Sequence, residues 1–320
     1  MSKLNSEKVK NFAIRYAMVW VMLLIIAFFS YKSGRFATLD NLQNIMIAAA
    51  PFALIALGQT LVILTGGIDL SPGSTIAVAA MTGAWVSVNV RDNWWLPIIA
   101  AILAGTIVGM INGVLVANLN LPPFIATLGT MTAASGVAYA IGGGAPINGL
   151  PDSYGWIANT RLFGLTIPVI AMILGIVILA VVMKRTVFGM QVYAVGGNAE
   201  AAGIAGIRTK WVLFRVYAIS GLLAGISGLM LSSRVISGPP SLGQGFELDS
   251  IAAVVIGGAS LLGGRGTVWG TALGLLLMQT LNNGLDILTV PTYWQSVVKG
   301  LLIVAAVSVD VWSTKRRQDS

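Results

Sequence analysis

The 320-residue sequence contains no cysteine and no histidine. Without thiols there are no disulfides and no thiol nucleophile. Without imidazole the usual general base and the commonest zinc ligand are missing. Charge is scarce too: 9% of residues are Asp, Glu, Lys or Arg, against about 25% in soluble domains. The eleven acids are scattered, with no H-E-x-x-H and no paired carboxylate cluster. No G-x-x-x-x-G-K-[ST] occurs, so the chain has no P-loop with which to bind ATP itself. These gaps argue against an enzyme and against any resident metal or cofactor.

What is present is oil. Apolar residues make up 56% of the chain, with 38 glycines, and the mean hydropathy is +0.86. Ten apolar runs approach the length of a bilayer crossing: 16–31, 44–64, 72–90, 95–117, 123–141, 166–183, 212–232, 248–262, 268–288 and 293–312. The first and eighth are short. The second holds Pro51 and ends at "TGGIDLSPGS", so residues 44–75 form either one span or a broken or re-entrant helix. The N-terminal stretch is basic, but no A-x-A-like site follows its apolar run, so it reads as a retained span rather than a removed signal.

The net charge of +8 does not point to nucleic acid, because the basic residues flank apolar spans instead of forming a stripe with aromatics. Their distribution orients the chain. With the N-terminus inside, Lys3, Lys8, Lys10, Arg15, Lys184, Arg185, Arg208, Lys210, Arg265, Lys315, Arg316 and Arg317 are cytoplasmic, and Lys32, Arg35, Arg91, Arg161 and Arg234 external. That asymmetry is the positive-inside pattern. The expected architecture is an all-α polytopic membrane protein with about ten transmembrane helices and both termini cytoplasmic. It is one membrane domain over 1–320, with cytoplasmic tails at 1–15 and 313–320 and a cytoplasmic loop at 184–211.

That loop holds "GNAEAAGIAGI". Asn198 can cap a helix, Glu200 suits its first turn, Ala201 and Ala202 keep it slim, and Gly206 can end it. So short a helix is marginal alone and needs a surface to dock on.

Within the spans, Gly105, Gly109 and Gly113 recur every fourth residue, and Gly221 with Gly225 and Gly270 with Gly274 repeat the spacing. They serve as packing seams in one bundle, or one of them lines a dimer interface or a gate. "TGGIDLSPGST" and "IGGASLLGGRGT" resemble each other, which hints at an internal repeat. They supply Gly66, Gly67, Gly257 and Gly258 as helix-break or hinge candidates, joined by Asp69. Asp69 either supports the helix start at Ser71–Pro72 or marks a pathway. Lys299 is placed to snorkel outward toward Asp286. Gln59, Thr60, Asn112, Thr127, Thr130, Thr132, Ser135, Gln279, Asn282 and Asn283 are uncharged and polar. Such residues glue helices together or line a path for an uncharged polyhydroxy solute. Gln59, Asn112, Thr127, Gln279, Asn282 and Asn283 are the path candidates.

"EAAGIAG" fits the E-A-A-x-x-x-G signature of permease subunits in bacterial ABC importers, with Glu200, Ala201, Ala202 and Gly206 in register. Together with "ALGQTLVILTGGIDLSPGS", "PPFIATLGTM", "YAVGGNAEAA", "ELDSIAAVVIGGASLLGGRGTVWG" and "LNNGL", it makes residues 40–310 resemble the ribose and simple-sugar permease family. Pro72 departs from the apolar residue expected there. The resemblance implies a bacterial inner-membrane, multi-pass permease paired as a homodimer or heterodimer. It also implies a cytoplasmic ATPase subunit that carries the ATP and magnesium, and an extracytoplasmic sugar-binding protein. The short helix is then a coupling helix. A polyol, a signalling furanose or a branched-chain amino acid remains an alternative solute, and a self-sufficient secondary transporter is the rival of a different class.

Overall fold

The structure is a computed structural model that describes residues 17–90 and 93–318; the expected 1–15 tail and Arg91 lie outside the described residues. Its helices are α1 (Ala17–Lys32), α2 (Leu39–Leu64), α3 (Pro72–Asn89), α4 (Leu96–Ala117) and α5 (Pro123–Ile141). A one-turn helix α6 (Trp156–Asn159) and a hairpin of β1 (Arg161–Leu162) and β2 (Leu165–Thr166) follow. Then come α7 (Ile167–Arg185), α8 (Val187–Gly197), α9 (Ala199–Ile204), α10 (Thr209–Val235), α11 (Phe246–Ile256), α12 (Val268–Ile287) and α13 (Thr292–Gln318).

The helix starts are written locally. Proline, whose missing N–H costs nothing in a first turn, opens α3, α4, α5 and α7. Thr38, Thr186, Asn198 and Thr267 cap α2, α8, α9 and α12 by accepting a backbone N–H from the first turn.

Among the described residues, α2, α4, α5, α7 and α10 are long and apolar enough to cross a bilayer, so the chain is a multi-pass membrane protein. They divide by environment. The second half of α2 is sealed on all sides, which makes it the axis of the bundle. In contrast α4 leaves Leu103, Ile107 and Ile111 exposed, and α7 leaves Leu174, Ile178 and Val181 exposed. An outward row of branched aliphatics suits hydrocarbon, not water.

Each of the ten apolar runs contains a helix, but the eighth is not a span. α11 has 11 residues, about 16 Å at 1.5 Å per residue, half of a hydrocarbon core. The chain reaches it as irregular backbone lying along α3, with Gly238 against Ala84 and Gly243 against Ile76. Such backbone survives at membrane depth only when buried in protein. The helix stops at Gly257, and Gly258 takes φ +86°. The second run is unbroken, because α2 continues through Pro51; the irregular stretch lies beyond it, at 65–71. The 184–211 loop holds a second helix, α8, that the sequence reading did not separate. α13 runs on to 318, past the expected end at 312.

The glycine seams lie inside the chain. A methyl at Gly105 would stand 2.5 Å from the Gly225 Cα, and one at Gly109 2.8 Å from the Gly221 Cα. α4 and α10 therefore pack backbone to backbone. Gly270 and Gly274 do the same for α12 against Gly257 and Ala253.

Candidate functional site

The first irregular stretch is held by a buried polar network. The Asp69 carboxylate accepts the Ser71 backbone N–H at 2.8 Å and its hydroxyl at 2.7 Å, and Ser220 of α10 approaches the other oxygen at 3.3 Å. Asn112 of α4 donates to the Ser71 hydroxyl at 2.7 Å and accepts from Thr130 of α5 at 2.5 Å. Thr127 accepts the Leu70 N–H at 3.1 Å. Asp69 is 2% exposed and has no ion pair among the described residues. Its compensation comes from these donors and from the N-terminal dipole of α3. Ser71 does not cap α3 with its side chain, as its spacing before Pro72 suggested, because its hydroxyl is committed to Asp69. Beside the network Tyr217 is fully buried with its hydroxyl unpartnered, standing where a side chain at Gly67 would otherwise go.

The second irregular stretch, 257–267, meets the first. The Gly264 N–H donates to the Leu64 carbonyl at 2.9 Å, and Gly263 packs on Gly66. Both turns need left-handed glycines, with Gly66 at φ +79° and Gly263 at +86°. The two segments that look alike in sequence are thus in contact.

The axis helix α2 leads into the first stretch. Gln59 is fully buried, and among the described residues neither atom of its amide finds a partner. One residue on, the Thr60 hydroxyl meets that of Thr271 on α12 at 2.8 Å. Farther along α12, Gln279 is buried, the Asn282 carbonyl oxygen is buried without a partner, and Asn283 forms a reciprocal amide pair with Asn41 at 2.9 Å. The structure therefore gathers Asp69, Asn112 and Thr127 into one network and sets Gln279, Asn282 and Asn283 apart on α12. Asn283 joins α12 to the start of α2.

Lys299 does not turn outward to Asp286. Its ammonium bonds the Asp249 carboxylate of the half-helix α11 at 2.9 Å, and Asp286 instead accepts from Gln295. The nearest counter-charge in space lay 50 residues away in the chain, beyond the reach of a local reading.

At the far end of α7, helices α8 and α9 form a projecting pair. Asn198 accepts the Ala201 N–H at 2.9 Å. Gly206, at φ +87°, closes α9 with the paired bonds of a Schellman motif, Ile207 N–H to Ala202 and Gly206 N–H to Gly203. Glu200, Ala201, Gly203 and Ile204 are exposed, and only Ala202 faces inward. The pair is tied to the interior through α8. A Gly196 side chain would overlap the Leu64 carbonyl, and the Tyr193 hydroxyl donates to Gly266 at 2.9 Å. Arg215 of α10 braces the other side, 5.0 Å above the Phe188 ring and bonded to Gln191. One small element thus touches the end of α2 at Leu64, where the first irregular stretch begins, and the second stretch at Gly264 and Gly266.

Sequence reasoning missed Gly196, Ser220 and Tyr217 as members of this site. A signal existed for one of them: Ser220 and Ser227 recur seven residues apart on one apolar helix, a hydroxyl stripe facing its neighbours.

Comparisons with known proteins agree with this architecture. The family described as branched-chain amino acid transport system / permease component matches residues 41–307. The ribose import permease protein RbsC of Bacillus subtilis (strain 168) is 42% identical over 294 residues, 90% of each chain. The D-allose transport system permease protein AlsC of Escherichia coli (strain K12) is 35% identical, covering 97% of this chain and 96% of its own. The galactose/methyl galactoside import permease protein MglC of the same strain is 33% identical, covering 99% and 100%. No solved structure matches. With most of its length matched by that family and by relatives of this similarity, the chain belongs to the permease components of the branched-chain amino acid transport system type.

Proposed function

We propose that the chain is the membrane-spanning subunit of an ATP-driven importer for a simple sugar, ribose or a close relative, delivered by an extracytoplasmic binding protein. The similar proteins are named as import or transport permeases for ribose, allose and galactose, which favours a monosaccharide over a polyol or an amino acid. A second permease subunit completes the pathway, and a cytoplasmic ATPase binds ATP and magnesium, so this chain needs no cofactor of its own. The irregular segment along α3 together with α11 makes the eighth of ten crossings, a topology with both termini and the α8–α9 pair in the cytoplasm. The irregular stretches 65–71 and 257–267 correspond as parts of an internal repeat.

One observation carries the mechanism: the exposed helix α9 rides on α8, and α8 presses through Gly196 on the Leu64 end of α2 and through Gly196 and Tyr193 on the second break at Gly264 and Gly266. Docking of Glu200, Ala201 and Ile204 in a groove of the ATPase transmits nucleotide-driven motion to Leu64 and Gly264. Those residues lead into α3 and α12, the helices that follow the breaks. Gly66, Gly67, Gly257 and Gly258 are the hinges of that motion, and Gln59, Gln279 and Asn282, which find few partners at rest, bond the sugar or water during it.

The test is a Glu200→Lys variant and a Gly206→Val variant in the assembled transporter. Both should insert and dimerise normally while ATPase retention and binding-protein-stimulated hydrolysis fall. Full coupling in both would reduce the α8–α9 pair to a connector. A chain that transports without any ATPase, driven by an ion gradient, would establish the secondary-transporter reading instead.

A further inference from the structure

At the end of the bundle opposite α8 and α9, two cavities join. The first, of about 130 Å³, is lined by Ile47 and Pro51 of α2, Thr166 of β2, Arg234 of α10 and Arg161 of β1. The second, of about 260 Å³, is a groove between α2 and α7 lined by Leu42, Met46, Leu165 and Val169. Ile47, Arg161 and Thr166 border both. The polar end is unusual in what it lacks. Two guanidinium groups share it, no Asp or Glu lines either cavity, and among the described residues neither arginine has an ion pair. Thr166 is 6% exposed, and its buried hydroxyl has no hydrogen-bond partner among the described residues. A buried hydroxyl without a partner marks a place where something polar is missing. The groove beside it offers almost only hydrocarbon.

We propose that this joined cavity binds an anionic phospholipid, with the phosphate between Arg161 and Arg234 and one acyl chain in the groove along Leu42, Met46 and Val169. The charge calls for an anion, and planar guanidinium groups fit phosphate oxygens through paired bonds. The groove calls for an aliphatic chain covalently joined to that anion. The surroundings fit a membrane interface: the hairpin tip Phe163 is fully exposed with Leu162 beside it, and Trp94 and Trp156 lie together at the same end. The site does not depend on what the protein transports. Its occupant would pin α7 and the start of α2 to the end of α10, away from the moving α8–α9 pair.

The experiment uses the full chain purified in detergent and stripped of lipid, offered phosphatidylglycerol or phosphatidylcholine, with bound lipid counted by native mass spectrometry. Phosphatidylglycerol should be retained about tenfold better, as expected when charge-assisted bonds select the headgroup. Arg161→Gln with Arg234→Gln should abolish that preference without changing the melting temperature, because both side chains are exposed and unpaired. Leu42→Asp, which puts a charge in the groove, should weaken phosphatidylglycerol while leaving sn-glycerol 3-phosphate untouched. Equal retention of both lipids, or an unaltered preference in the double arginine variant, overturns the proposal. So does sn-glycerol 3-phosphate displacing the lipid at equal concentration, which would show a phosphate site without a lipid requirement. Loss of binding-protein capture with lipid retention intact would assign the arginines to a protein partner and also overturn it.

Discussion

Replacing Gly196 by alanine should damage this protein, while the same change one residue later should not. Gly196 has no strained backbone of its own; its need for a bare Cα comes from the carbonyl of Leu64, which a methyl would overlap, and from the Gly264 N–H behind it. Both are backbone atoms, so no rotamer change relieves the clash and α8 must move off the α2 terminus. Overpacking of this kind costs about 1–3 kcal/mol. Separation also strains the Gly264–Leu64 hydrogen bond of 2.9 Å, worth about 0.5–1.5 kcal/mol net. Gly197 has open space where its side chain would be. There alanine in a helix gains roughly 0.5–1 kcal/mol over glycine. The two variants should therefore move thermal unfolding in detergent in opposite directions, by a few degrees each. In the assembled transporter, Gly196→Ala should also lower the ATP hydrolysis that the binding protein stimulates, because the contact it breaks links α8 to the Leu64 end of α2 and to Gly264 of the second break. Equal stability and equal coupling in the two variants would refute the claim that α8 bears on Leu64.

Three further outcomes follow from named contacts. Gln59→Met should raise the melting temperature, since removing a buried amide with no partner relieves a penalty of about 1–3 kcal/mol, yet sugar uptake should fall; normal uptake would remove Gln59 from the path. Asn112→Leu removes one bond each from Ser71 and Thr130, which keep Asp69 and the Thr127 carbonyl, so its abundance in the membrane should drop together with transport, by the amount expected of about 0.5–1.5 kcal/mol per lost bond; wild-type abundance would mean the network is dispensable. Lys299→Met and Asp249→Asn should each destabilise and the double variant should recover, with a coupling of about 1–3 kcal/mol, between surface and fully buried pairs; additive losses would deny the ion pair.

The sequence alone was enough to determine that this chain is helical and membrane-bound, because those properties follow from composition and from the length of apolar runs. It also placed the start and stop of α9, since Asn198 and Gly206 act on neighbours a few residues away. It marked the paired glycines at 66–67 and 257–258, because a turn needs its residue type locally. Three matters were decided only in space. An 11-residue half-helix and a full span share the same hydropathy, so the fate of α11 depended on protein, not lipid, covering the irregular backbone before it. Lys299 chose Asp249 over Asp286 because folding brought α11 against α13. Gly196 and Tyr217 have no signature of their own. Each is defined by the backbone pressed against it, and that contact exists only after α2, α8 and α10 have packed.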